Sequence, residues 1–503
     1  MGRATFAAIA WLGLSAAGIT AQEPEHGEQA EKLGTVHFAT SCNPAVAPKF
    51  DRAVALLHSF EFGASIRGFN DALAADSTCA MAYWGLALSR WGNPMGGAAG
   101  NRAAPLLQEG ANLVAKGAHL AAAATERERG YLAAVDQLYD NYQQRDQRSR
   151  VTAYSQAMED LALKQPADTE GKIFYALSLV AAAPPTDKTY ANQLKAGAIL
   201  ESLWAKAPNH PGLAHYIIHA YDYPALADKA RAAAARYATI APSAAHALHM
   251  PSHTFTRVGM WKESAEANER SSAAALATGS FSEALHAWDY EMYAYLQMGD
   301  TVRAKAVLDR LPSIAAQFNP NAITGAAPPS AAVFALTAIP ARWVLEREAW
   351  SEAAQLQPRT TSYPYADAMT HFARAIGAAH TGALDTAKAS VAALADIQQS
   401  LVAKNEPYWA EQVAIQHLAA HAWLELAQHR NDDALRDMRE AATREDATDK
   451  SAVTPGPLAP ARELLGDMLV TLGRSSEAIV EYQSALKREP NRRRLVLRLA
   501  STR

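Results

Sequence analysis

The chain reads as an all-α protein, a solenoid of stacked antiparallel helix pairs. Two observations predict it. Alanine is abundant and strand-forming runs are scarce, which favours helix along most of the chain. Landmarks also recur at a period of 34 residues: Pro208 and Pro242 are 34 apart, and the residues counted forward from each match. A period of that length is the signature of one helix-turn-helix unit repeated, each unit burying its apolar face against its neighbours. The chain has 503 residues, 49% hydrophobic and 19% charged, an ordinary globular balance.

The amino terminus predicts a secretory signal over residues 1–21. Arg3 supplies the charged start, Ala7 to Leu14 a short apolar stretch, and Ile19-Thr20-Ala21 a small-residue cleavage site. The apolar stretch is short for a membrane span, and no second run of spanning length follows. The expectation is a secreted or periplasmic protein with no stable membrane span after cleavage. Residues 22–36, with Glu23, Glu25, Glu28 and Glu31, are expected as a mobile lead-in. Residues 37–503 are expected as one continuous solenoid, with histidine-rich repeats at about 208–300. The two cysteines, Cys42 and Cys79, read as one disulfide in an oxidising compartment; the alternative is a thiolate ligand near His37.

Repeat landmarks then follow in order. Ser65, Phe69, Ala72 and Ser77 fit the second half of a unit, and Tyr83-Trp84-Gly85 opens the next helix. Tyr154, Met158, Leu161 and Pro166 mark another, and Ala230, Ala234, Tyr237 and Pro242 another. Gly299 with Ala304, and Gly382 with Ala387, set two later registers. The fullest copy is the last: Leu465-Gly466, Leu469, Ala478, Tyr482, Ala485 and Pro490, with Arg462 where an early Trp is expected. This pattern resembles the tetratricopeptide repeat (TPR). Small residues let two helices approach, large ones fill the gaps between units, and proline ends the second helix. Loops are expected at 91–101, 183–190, 318–330, 358–365 and 454–460, all rich in Pro, Gly or small residues.

The 34-residue register carries histidines. His215 matches His249 and His219 matches His253, and within each pair the spacing is 4. A spacing of 4 puts two side chains on one helix face, about 5–6 Å apart at Cβ. Of 16 histidines in the chain, six fall between 210 and 253. The TPR resemblance implies that the second, fifth, ninth and twelfth residues of each unit face a concave groove. Those slots hold Gly212, His215, His219 and Asp222, then His246, His249, His253 and Thr256, then His286, Asp289, Tyr293 and Leu296. Neutral imidazole is the commonest ligand of copper, zinc and iron, and a pair at i, i+4 can share one ion. The expected ligands are His215, His219, His246, His249, His253, His286 and Asp289, for more than one ion. Asp222, His210 and Tyr293 are expected beside them, orienting ligands or moving protons. A peptide groove with polar lining and histidines merely packed in a core are the alternatives. Pro251 stands between His249 and His253, removes one backbone hydrogen bond and predicts a kink that re-aims them.

His58 and Glu61 stand near the end of an early helix, where a histidine can equally satisfy helix carbonyls. His417 and His421 form another i, i+4 pair, in slots that read as packing or surface. Trp84, Trp91, Trp288, Tyr290 and Tyr293 read as core or as walls of a substrate pocket. A net charge of −4 makes no electrostatic case for nucleic acid. Phosphate-cradling glycine loops, nucleophile elbows and paired CxxC zinc motifs are missing from the sequence. The functional expectation is an exported TPR metalloprotein with a transition-metal centre in its groove, redox or hydrolytic, acting on a small molecule. The alternative is a non-catalytic periplasmic scaffold that binds a protein or peptide partner there.

Overall fold

Helices begin where caps and prolines place them. Thr125 and Glu128 form a reciprocal capping box, Asp146 and Asp300 cap their helices through side-chain oxygens, and prolines open the helices at 211, 251, 329, 364 and 407. The computed structural model describes residues 31–95, 104–184 and 186–502. The expected leader at 1–21 and residues 22–30 lie outside the described residues.

The helices run α1 (Ala47–His58), α2 (Phe62–Ala75), α3 (Ala80–Trp91), α4 (Ala104–Leu120), α5 (Glu126–Asp136), α6 (Gln147–Lys164), α7 (Thr169–Ala182) and α8 (Ala191–Trp204). Next come α9 (Pro211–Ala220), α10 (Arg231–Ile240), α11 (Ala245–His249), α12 (Pro251–Arg257), α13 (Trp261–Ala277), α14 (Phe281–Met298), α15 (Thr301–Ala315) and α16 (Pro329–Glu346). The last are α17 (Trp350–Ala354), α18 (Pro364–His380), α19 (Leu384–Ala403), α20 (Pro407–Ala427), α21 (Asn431–Ala447), α22 (Ala461–Thr471), α23 (Ser475–Arg488) and α24 (Arg493–Ser501). Among the described residues the regular elements are all helical, and none is long and apolar enough to cross a membrane.

Consecutive helices pack in pairs, as α1 with α2, α18 with α19 and α22 with α23, while α14, α16, α18 and α20 stack as a row. The small-against-large logic of the repeat holds: a Cβ on Gly466 of α22 would lie 2.3 Å from the Tyr482 ring of α23. The fold is a TPR-like helical solenoid.

Both ends of the solenoid return to its middle. α1 packs on α9, and α24 packs on α14. Trp261 donates its indole N–H to the Asn491 carbonyl at 2.9 Å, and the Gly63 N–H donates to the Thr324 carbonyl at 2.8 Å. The groove expected to lie open is therefore covered where the histidines sit. The last residues of the expected lead-in pack on the solenoid. Leu33 and Val36 are buried, the Lys32 N–H donates to Ser243 Oγ, and the Thr35 N–H donates to the Asn209 carbonyl. Apolar side chains at 33 and 36 find a core that the acidic residues before them do not need.

Two apolar cores result. One gathers Phe50, Trp84, Tyr131 and Phe174 from the amino-terminal half, and the other gathers Met369, Ile376, Trp423 and Tyr482 from the carboxy-terminal half. Of the histidine-bearing helices, α9 and α11 give apolar residues to the first core and α14 to the second. Cys42 and Cys79 are joined in a disulfide, which removes the thiolate-ligand alternative.

Candidate metal centre

Six imidazoles meet in two groups of three. In the first, His215 and His219 project from one face of α9, and His246 joins them from α11; one ring nitrogen of each lies within 4.8 Å of the others. In the second, His249 ends α11, His253 lies on α12 and His286 on α14, under the same distance limit. All six are buried, at 0–6% exposure. The groups adjoin, with ring centroids 5.7 Å apart between His246 and His249 and 6.0 Å between His219 and His253.

The second group spans the helix break before Pro251, where α11 ends and α12 begins. Met250 keeps helical dihedrals (φ −53°, ψ −36°), and the His253 N–H closes a tighter turn onto the Met250 carbonyl at 3.1 Å. His249 and His253 then face each other, Nε2 to Nε2, at 3.0 Å.

Their hydrogen bonds decide where the lone pairs point. Nδ1 of His215 donates to the His58 carbonyl at 2.6 Å, and Nδ1 of His246 donates to Glu283 Oε1 at 2.8 Å. Nδ1 of His253 donates to Asp222 Oδ2 at 2.9 Å. Nδ1 of His249 donates to Asn268 Oδ1 at 2.6 Å, with the Asn268 amide oriented by its own N–H bond to the Ser264 carbonyl. Each partner is an acceptor, so each Nδ1 carries the proton and each Nε2 bears the lone pair. In the first group, Nε2 of His215, His219 and His246 are all buried without a hydrogen-bond partner. In the second, two lone pairs confront each other at 3.0 Å, a repulsive arrangement unless a cation lies between them. Burial, then the neighbouring imidazoles, holds His215, His219 and His249 well below the ordinary histidine pKa. Burial also lowers His253, against the pull of Asp222, and takes His286 down to about 3. A proton is thus a poor occupant of the gap. A metal ion is a good one: two nitrogens bonded at 2.0–2.1 Å to one ion stand about 2.9–3.4 Å apart between right-angled and tetrahedral geometry.

A further layer of side chains holds the ligands. Burial alone raises the Asp222 pKa, but Lys450, Arg257 and His253 together bring it well below the carboxylate range. Lys450 Nζ lies 3.2 Å from Oδ2 and Arg257 Nε 2.9 Å from Oδ1 of Asp222. Phe60, in the α1–α2 turn, packs its ring on His215, His219 and His246, with centroids 4.4, 5.7 and 5.7 Å away. Tyr237 stacks on His215, and Tyr290 packs on His249 and His253 while its hydroxyl donates to the Thr454 carbonyl at 3.1 Å.

Three expected members go elsewhere. Asp289 pairs with Arg342 of α16 at 2.7 Å, both fully buried, because Arg342 reaches across from the neighbouring row and claims the carboxylate. The Tyr293 hydroxyl accepts from Arg492 at 3.0 Å and donates to Glu489 at 3.3 Å, in the seam where the last helices return. His210 turns from the groove to Glu170, as the cap residue preceding α9. Asp222 stands where it is expected. Sequence reasoning missed Phe60, Glu170, Asn268 and Lys450, which carry no shared spacing with the histidines, and also two residues that had a signal: Glu283, 34 residues beyond His249 and one turn before His286, and Arg257, four residues beyond His253 on the same helix. His417 and His421 lie apart, half-buried, with His421 bonded to Asp437.

No protein-family model matches the chain, and no curated protein matches it. The chain is similar at low scores to several solved structures. Human IFIT1, as a dimer with m7Gppp-AAAA, is 11% identical over 79% of this chain and 87% of its own, with a TM-score of 0.36. The APC/C hetero-tetramer Cut9–Hcn1 is 11% identical over 91% and 96%, with a TM-score of 0.29. The TPR domain of P58(IPK) is 12% identical over 91% and 97%, with a TM-score of 0.22. At these scores the likeness carries no argument about function.

Proposed function

We propose that this chain is an exported metalloprotein whose six histidines hold two transition-metal ions in a chamber enclosed by the solenoid. The observation that carries the reading is the set of Nε2 atoms: those of His215, His219 and His246 are buried without hydrogen-bond partners, and the lone pairs of His249 and His253 face each other at 3.0 Å. An all-imidazole donor set suits copper, zinc or iron and not calcium or magnesium. Carboxylate and carbonyl partners on the far ring nitrogens are the outer layer that metal-binding histidines require.

The enclosure supports redox or hydrolytic work on a small molecule. A small cleft of about 90 Å³, lined among others by Tyr365, Tyr408, Trp409 and Thr454, reaches Arg257 and Lys450, the two cations bonded to Asp222. A peptide-binding scaffold needs an exposed groove, whereas Phe60 and Tyr290 cover these imidazoles. The disulfide and the leader-like amino terminus support export to an oxidising compartment.

Elemental analysis of protein purified without a histidine tag tests the reading. Two equivalents of metal per chain are expected to be lost in a His215→Ala/His249→Ala variant, with a lowered melting temperature after chelation. Metal-free protein whose melting is unchanged by added copper, zinc or iron sinks the proposal.

A further inference from the structure

A separate group of donors lies behind the first three histidines. Glu170 Oε2 accepts from Nε2 of His58 and Glu170 Oε1 from Nε2 of His210, each at 2.9 Å. The three residues come from the end of α1, the first turn of α7 and the cap position of α9, and none is more than 5% exposed. Their ligand atoms all lie within 4.8 Å of one another. The Tyr216 hydroxyl stands 3.0 Å from Nδ1 of His58, and Nδ1 of His210 is buried with no partner. Gly212 makes the room: a Cβ there would meet Nδ1 of His58 at 2.5 Å.

Charge asks for a cation. The first turn of a helix favours an ionised carboxylate, so Glu170 sits as an anion in a dry interior. Burying that charge is costly unless it is compensated, and two imidazoles compensate it only in part. An ion that displaced the two N–H protons would find the nitrogens and carboxylate oxygens already brought together, 2.9 Å apart. The donors differ in kind from the six imidazoles, because two nitrogens and a carboxylate form a harder set.

We propose that His58, Glu170 and His210 form a metal site of their own, for one divalent ion of borderline hardness such as zinc or iron(II). The site is independent of the two-ion reading above. His58 also connects the two, since its main-chain carbonyl accepts from Nδ1 of His215.

The test uses the full chain stripped by chelator, titrated with Zn²⁺ and cleared of free metal, with zinc counted per chain. Glu170→Gln keeps the side chain's shape and loses the charge; it is expected to hold one zinc fewer than the native chain, with an unchanged helical circular dichroism spectrum. His215→Ala/His249→Ala is expected to keep the zinc that Glu170→Gln loses. Native zinc content in folded Glu170→Gln overturns the proposal. If Glu170→Gln does not fold, His210→Asn serves instead, because asparagine is a favoured residue at a helix cap; the same loss of one zinc is expected, and an unchanged count overturns the site. A His215→Ala/His249→Ala chain with native zinc content, beside a Glu170→Gln chain that has lost one, supports this site and refutes the two-ion centre.

Discussion

Asp222 Oδ2 accepts the Nδ1 proton of His253 at 2.9 Å while Lys450 and Arg257 close on the same carboxylate. One acidic side chain therefore orients a ligand and neutralises two buried cations. Asp222→Ala removes both effects. Metal affinity at the His249–His253–His286 group is expected to fall about 10–100-fold. Stability falls as well, by about 3–5 kcal/mol, because two cations lose their counter-charge in the interior. Competition against a chromophoric chelator and thermal melting check the two parts; equal affinity in native and variant chains would refute the orienting role.

Phe60 closes the first group from a turn in which it adopts a left-handed backbone (φ 56°) and is 1% exposed. Phe60→Ala leaves a cavity against three imidazoles, at a cost of about 3–5 kcal/mol. It also opens a path for solvent, so bound metal is expected to leave faster for a chelator. Stopped-flow transfer rates measure this; a rate equal to that of the native chain places the entry path elsewhere.

The Cys42–Cys79 bond closes a loop of 37 residues at the start of the solenoid. By the loop-entropy relation, losing that crosslink costs about 4 kcal/mol. Cys42→Ser/Cys79→Ser is expected to unfold at lower denaturant and to be indifferent to a reductant that destabilises the native chain. Equal midpoints with and without reductant in the native chain contradict this.

Glu291 on α14 points away from the histidines toward Ser272. Burial raises its pKa from 4.5 to about 7, with the Ser272 hydroxyl and Arg310 offsetting part of the rise. The folded chain thus holds this proton more tightly than the unfolded chain does. The stabilisation is present in full below about pH 4.5 and is lost as pH rises through about 7. Glu291→Gln should match the native chain near pH 5 and exceed its stability at pH 8 by up to about 3 kcal/mol. Urea unfolding at the two pH values decides it; a difference that does not change with pH removes the argument.

Much of this was legible in the chain. The period of 34 placed His215 above His249 and His219 above His253, and those residues do share one tract. The same counting misplaced Asp289 and Tyr293, because slot positions say which face a residue occupies but not which neighbour competes for it. Arg342 and Arg492 arrive from other helices and take both side chains.

What the sequence determined by itself is the helical periodicity and the alignment of imidazoles along it, since both depend only on spacing within and between neighbouring helices. Tertiary structure alone decided that the hollow is closed, that Phe60 and Lys450 belong to it, and that His210 turns to Glu170. The first two outcomes depend on where the two ends of the solenoid come back to its centre, and the third on a charge pairing between nearby helices 40 residues apart. Contacts between segments separated by a hundred or more residues are selected by packing and charge, and they leave no period to read.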